Sequence, residues 1–142
     1  MKIEESVTID ASPETIFGIW SEVDRWKLWD PDTKEAVLRG PFAVGAQGRI
    51  VPTKGRGVPM AVTECTANRS FTVEAAIPLF RMRFDHELVP GAQGTRVTHR
   101  VTFSGPLTPV LGRIVGGQVR KGLPVTMQSL KRYAEARERG EG

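Results

Sequence analysis

Hydrophobic and polar positions alternate with a period of two at the start of the chain. Ile3, Glu5, Val7 and Ile9 oppose Glu4, Ser6 and Thr8, which predicts a strand over 2–9. Ser12-Pro13-Glu14 then reads as a helix start, with Ser12 as N-cap, Pro13 in the first turn and Glu14 near the positive end of the dipole. That helix carries Ile16, Phe17 and Trp20 on one side. A second short helix, capped by Ser21 or Asp24, runs through Trp26 and is stopped by Asp30-Pro31-Asp32. Strands follow near 34–39, 47–53, 58–66, 69–77, 80–89 and 95–104, separated by Gly-, Pro- and Asn-containing breaks. Two of them alternate cleanly. Phe80, Met82, Phe84, His86 and Leu88 oppose Arg81, Arg83, Asp85 and Glu87, and Val97, His99, Val101 and Phe103 oppose Arg96, Thr98, Arg100 and Thr102. One face of an antiparallel sheet is thus covered and the other wet.

Thr108-Pro109 opens a last, long helix to about Arg137, with Leu111, Val115, Val119, Leu123, Met127 and Leu130 on an apolar stripe. Gly116, Gly117, Gly122 and Pro124 interrupt it, so a kink or break is expected over 116–124. The fold class is therefore α+β: seven antiparallel strands, two short helices after the first strand, and a closing helix. A sheet of this length curls, and the striped helix fits its concave side. Helix and sheet held apart by large side chains would enclose a cavity, where a ligand is to be sought.

The 142 residues form one domain, 1–142, large enough to fold without disulfide or metal staples. The longest stretch without a charge, Val101 to Gly112, is too short to cross a membrane, and Met1-Lys2-Ile3-Glu4-Glu5 does not read as a secretory leader. A single cysteine, Cys65, excludes an internal disulfide, and together these points favour a cytoplasmic protein. The net charge is +4, but the fourteen arginines never form a run. The densest basic group, Arg81, Arg83, Arg96 and Arg100, alternates with acids and threonines, which describes a solvated hairpin face rather than a nucleic-acid footprint.

Several local motifs carry a resemblance: residues 9–14 (IDASPE), 24–31 (DRWKLWDP), Val44-Gly45, residues 94–98 (GTRVT), Gly105-Pro106-Leu107 and residues 129–135 (SLKRYAE). In this order the chain resembles the START-related helix-grip (SRPBCC) superfamily, in its polyketide cyclase/dehydrase-like branch. The resemblance implies a curved seven-stranded sheet wrapped around the C-terminal helix. It also implies one of several roles: carrier or sensor of hydrophobic molecules, aromatic cyclase, dehydratase or ring-hydroxylase subunit. The last is set aside, because this chain has neither a Rieske module nor an obvious iron-binding set.

His86 and His99 are the only histidines, and both fall on the apolar phase of their strands. If Leu88 pairs with Val97, His86 lies directly opposite His99; a slip of two residues leaves them diagonal neighbours. Burial and mutual proximity should keep both uncharged. They are the candidate catalytic residues, as an acid/base pair for cyclisation or dehydration. Equally they are polar lining residues that orient a ligand or only one another. Strand and helix phase adds Trp29, Met60, Val62, Phe71, Val73, Met82, Phe84, Val101, Val115 and Val119 as ligand-lining candidates, with Trp29 at the rim. Residues 54–57 and the helix glycines are candidate gates. A zinc site would need a third ligand, and only Glu64 falls on an inward phase, so no metal and no cofactor are expected. Cys65 falls on the opposite phase from Met60 and Val62, away from any base.

The leading reading is a protein that binds a hydrophobic or aromatic small molecule (polyketide-, lipid- or isoprenoid-like) between sheet and helix. The alternatives are a polyketide cyclase/dehydratase using His86 and His99, and a protein-interaction module using the Arg-rich outer face. Edge strands leave monomer and homodimer both open.

Overall fold

A computed structural model describes residues 1–140. The strands are β1 (Lys2–Ile9), β2 (Thr33–Arg39), β3 (Gln47–Pro52), β4 (Val58–Thr66), β5 (Ser70–Ile77), β6 (Phe80–Gly91) and β7 (Gly94–Ser104). They form one sheet in the order β1-β7-β6-β5-β4-β3-β2, with every neighbouring pair antiparallel. The first and second strands are therefore opposite edges. The chain between them crosses the concave side as α1 (Pro13–Ser21) and a 3-10 helix (Val23–Leu28). The long helix α2 (Thr108–Glu138) lies on the same side, packed mainly against β1. This is the α+β arrangement expected from the sequence.

Local chemistry explains the helix boundaries. Ser12 Oγ accepts the backbone N–H of Thr15, as expected of an N-cap. The 3-10 helix has Glu22 at its N-cap and no side-chain cap, so neither Ser21 nor Asp24 plays that part. Asp30 terminates the segment by accepting from the Asp32 amide and the Thr33 hydroxyl. At α2 the N-cap position is Leu107, and the Thr108 hydroxyl donates back to the Gly105 carbonyl instead of capping forwards.

The expected break over 116–124 is absent: α2 runs on as helix through its glycines and through Pro124. Close approach explains two of those glycines. A Cβ on Gly116 would stand 3.1 Å from Met1 Sδ and 3.6 Å from both Ile3 and Phe103. One on Gly122 would overlap the Asp32 carboxylate. The helix is thus seated directly on β1 and on the turn before β2. Its C-terminal half is further fixed by polar ties. Thr126 Oγ1 donates to Asp30 Oδ1, Lys131 Nζ to the Thr8 carbonyl, and Arg137 to Glu22, while Glu135 accepts the Asp10 amide. The N-terminal half rests on apolar contacts of Leu111, Val115 and Val119.

Two apolar clusters fill the concave side. The larger joins Ile9, Ile16, Ile19, Trp20, Trp26 and Trp29 to Met60, Val62, Phe71 and Val73 under Met127 and Leu130. The smaller gathers Ile3, Phe80, Val101, Phe103 and Leu123. Met82 and Phe84, half-buried on β6, touch both.

Candidate functional site

The β6–β7 pairing sets the site. Leu88 pairs with Val97 and His86 with His99, the register anticipated from the alternation. The hairpin is tight, with Gly91 opposite Gly94, so there is little slack for a slip that would carry the histidines to the wet face. Their ring centroids lie 4.5 Å apart at a steep angle. Phe71, opposite His86 on β5, stacks flat on it at 3.9 Å and 4°. From the other side, α1 brings Trp20 to 5.5 Å from His86 and 5.7 Å from His99, and Trp29 stands 6.3 Å from His99.

These surroundings determine charge. Burial holds the His86 imidazole down at about 4, only partly offset by its hydrogen bond to the Phe71 carbonyl and by the charge of Asp85. His99 is pushed well below its ordinary value by burial and then by His86. Both rings are therefore neutral at pH 7. Because a carbonyl oxygen can only accept, His86 Nδ1, 3.2 Å from the Phe71 oxygen, carries the hydrogen. Its Nε2 is then left as the lone-pair nitrogen.

Hydrogen bonding around the pair is uneven. Trp26 Nε1 donates to the Trp20 carbonyl at 2.8 Å. The indole nitrogens of Trp20 and Trp29 and Nε2 of His99 are buried and find no partner within the protein.

The structure places the lining candidates in three groups. Phe71, Val62, Val73, Met60 and Val101 are buried in the two clusters. Met82, Phe84, Val115 and Val119 are half-buried and mark a seam between the N-terminal half of α2 and β6. Trp29 is enclosed at 4% exposure, so it is not a rim residue. The rings of Trp20, Trp26, Trp29, Phe42 and Phe71 pack together on the concave side, narrowing the space between sheet and helix in which a ligand is sought. Shallow, open depressions lie on the outer sheet face. One of about 290 Å³ is lined by Glu64, Ser70, Thr72, Asp85, Glu87 and Arg100 among others.

Two further expectations fail for one reason. A β-bulge shifts the β4–β5 register between Val62 and Glu64. The extra residue reverses the alternation beyond it. Glu64 accordingly faces outward, accepting from Thr66 and Ser70, and is no zinc ligand for the histidines. Cys65 turns inward, half-buried against the larger cluster, with Sγ 3.7 Å from the Phe42 carbonyl. Among the described residues, no three His, Cys, Asp or Glu side chains gather where a metal ion could sit. No described helix is long and apolar enough to cross a membrane.

Trp20 is not among the lining candidates that pattern alone supplies, yet it touches both histidines. The signal that could find it is its place on the apolar side of α1 begun by Ile16 and Phe17. On the outer face the arginines are largely matched within the sheet. Arg81 meets Glu74, Arg83 meets Asp85, and Arg100 meets both Glu4 and Glu87.

Comparison with known proteins bears on the whole chain. The family model described as polyketide cyclase / dehydrase and lipid transport matches residues 1–135. No curated protein matches by sequence. Among solved structures, a START superfamily protein from Mycobacterium smegmatis superposes with a TM-score of 0.72 at 20% identity, covering 99% of each chain. The protein TTHA0849 from Thermus thermophilus gives 0.75 at 15% identity, over 96% of this chain and 98% of that one. The di-domain ARO/CYC StfQ of the steffimycin biosynthetic pathway gives 0.78 at 14% identity, over 96% of this chain and 51% of the other. At these identities the likeness is one of fold.

Proposed function

Because this chain belongs to the polyketide cyclase / dehydrase and lipid transport family, we propose that it binds a hydrophobic or aromatic small molecule, of polyketide, lipid or isoprenoid type, on the concave side of its sheet under α2. The observation that carries this reading is the uncharged pair His86 and His99, set among aromatic rings at the inner end of an apolar seam. Met82, Phe84 and His86 follow one another on the same face of β6, two residues apart. At about 3.4 Å per residue this face spans roughly 14 Å from seam to imidazole. Val115 and Val119 of α2 supply the opposite wall. Apolar walls with a few fixed polar groups are the usual make-up of a small-molecule site.

The geometry favours binding over turnover. An effective general base at pH 7 has a pKa near 7, whereas burial holds His86 at about 4. One observation still favours cyclase or dehydratase chemistry as a second reading. The Phe71 carbonyl fixes the His86 tautomer and leaves Nε2 free to accept a substrate proton. The interaction-module reading is weakened by the pairing of the outer arginines with the sheet's own acids.

The test is displacement of 1-anilinonaphthalene-8-sulfonate by anthrone, oleate, farnesol and cholesterol, in wild type and in Val119→Trp. Stoichiometric displacement by at least one compound, lost when the seam is filled, is expected. It should survive in His86→Ala if the histidine only orients the ligand. Displacement by none of the four, or displacement unchanged by Val119→Trp, overturns the interior site.

A further inference from the structure

The chain holds three tryptophans, all on the concave side, and it treats them differently. Trp26 has its indole N–H satisfied by the Trp20 carbonyl. Trp20, at 0% exposure, and Trp29, at 4%, have theirs buried and unpartnered. If these side chains were required only as bulk, a ring without an N–H would serve and would leave nothing unpaired. A buried tryptophan normally finds an acceptor.

The two unsatisfied indoles do not stand apart. Both rings border His99, at 5.7 and 6.3 Å between centroids, and His99 Nε2 is itself buried without a partner. Three elements therefore converge: α1 through Trp20, the turn before β2 through Trp29, and β7 through His99. Indole N–H groups can only donate, and a neutral imidazole nitrogen donates or accepts according to its tautomer. Such a set matches an oxygen atom carrying lone pairs. Neither His99 nor the adjoining His86 is charged at pH 7, so the group itself offers hydrogen bonds and no positive charge, which suits a neutral oxygen.

Resting on the interior-ligand reading above, we propose that Trp20, Trp29 and His99 form an oxygen anchor, and that the ligand class is a ketone or phenol carried on an apolar ring system. Trp20 and Trp29 are then the specificity-determining residues. A hydrocarbon of the same shape leaves their donors unpaired and is rejected. The seam of Met82, Phe84, Val115 and Val119 supplies affinity for the carbon frame and does not distinguish the two. An anchored water offers the same oxygen chemistry, and the experiment separates it from a ligand.

The test uses the whole chain labelled with ¹⁵N-tryptophan, whose three indole cross-peaks are assigned through Trp20→Phe, Trp26→Phe and Trp29→Phe. It is titrated with 1-naphthol, 1-tetralone and naphthalene. Binding of naphthol or tetralone at least about tenfold tighter than naphthalene is expected, since a site built to hydrogen-bond discriminates strongly against an analogue lacking the partner. The Trp20 and Trp29 indole protons should move downfield while that of Trp26 stays. Trp29→Phe should reduce the preference for oxygen, read as the ratio of 1-naphthol to naphthalene affinity, while the Trp20 and Trp26 indole cross-peaks stay dispersed, so a general loss of folding is told apart from loss of the anchor. Equal binding of all three compounds, without movement of the two indole protons, overturns the anchor and leaves the interior site standing. Binding of the oxygenated compounds with both indole protons unmoved and in contact with water assigns the anchor to water only, and overturns the proposed ligand class. Binding of none overturns the interior site itself.

Discussion

His86 lies flat on Phe71, its ring 3.9 Å away and 4° from parallel, while its Nδ1 donates to the carbonyl of that same residue. Stacking fixes the plane of the imidazole and the hydrogen bond fixes its tautomer. One neighbour on β5 thus settles which nitrogen of His86 is left to face other chemistry.

The cost of keeping that ring neutral sets an acid limit. The folded pKa of His86, about 4, lies below the unfolded value near 6.5. The unfolded chain therefore binds more protons between those values, and stability is lost as pH falls through the window. A shift of this size corresponds to about 3 kcal/mol, with His99 adding in the same direction. Asp30 opposes the trend, because burial raises its carboxyl and its contribution is lost as pH rises instead. Urea unfolding at pH 7.0, 5.5 and 4.5 should show a falling midpoint, and His86→Phe should flatten the decline. An unchanged midpoint across this range contradicts the buried neutral pair.

Trp26→Phe and Trp29→Phe should differ in stability. The first removes the donor to the Trp20 carbonyl, at a cost of about 1–2 kcal/mol beyond the lost ring volume. The second removes an N–H that has no partner within the protein, so it should cost the volume alone. Denaturant midpoints of the two variants give the comparison directly. The reverse order would mean that Trp29 Nε1 is satisfied in solution.

The glycines of α2 should also separate by position. Nothing lies within 4 Å of a Cβ built on Gly117, so Gly117→Ala should stabilise by about 0.5–1 kcal/mol through helix propensity. Gly116→Leu, directed at Met1, Ile3 and Phe103, should destabilise by about 1–3 kcal/mol through overpacking. Thermal unfolding of both variants against wild type measures each sign.

Thr126→Val tests the tie between α2 and the turn before β2. The buried Asp30 carboxylate would lose one donor, and a loss of about 1 kcal/mol is expected at pH 7. In a double-mutant cycle with Asp30→Ala, which removes the acceptor, the two effects should not add. Full additivity would show that the bond makes no contribution.

The inward facing of both histidines on the β6–β7 hairpin was legible from strict alternation, which leaves only registers two residues apart, and the tight Gly91–Gly94 turn selects the one with His86 opposite His99. The orientation of Glu64 and Cys65 was not. In the run Val58 to Thr66 the apolar phase of Val58, Met60 and Val62 passes to Cys65 across the bulge, but a lone carboxylate at position 64 reads equally as an inward ligand on an unbroken strand. The glycines of α2 misled for a different reason. Propensity treats glycine as a weak point in an isolated helix, whereas here Gly116 and Gly122 permit close seating against Met1 and Asp32, contacts remote in sequence. The filling of the interior was likewise hidden, since it depends on the angle at which α1 delivers Trp20 between the histidines.

The unequal fastening of α2 divides its fluctuations. From Thr126 onward the helix is bonded to Asp30, Thr8, Asp10, Ser12 and Glu22, five points spread over the β1–α1 and β2 ends of the molecule. Opening there breaks polar links to several elements at once, and its amides should exchange only with global unfolding. Residues 109–122 lean on side chains without such links, so their amides should exchange through a smaller, subglobal opening. The molecule thus behaves as two cooperative units joined within a single helix, and the less protected unit is the one that borders the histidines' seam.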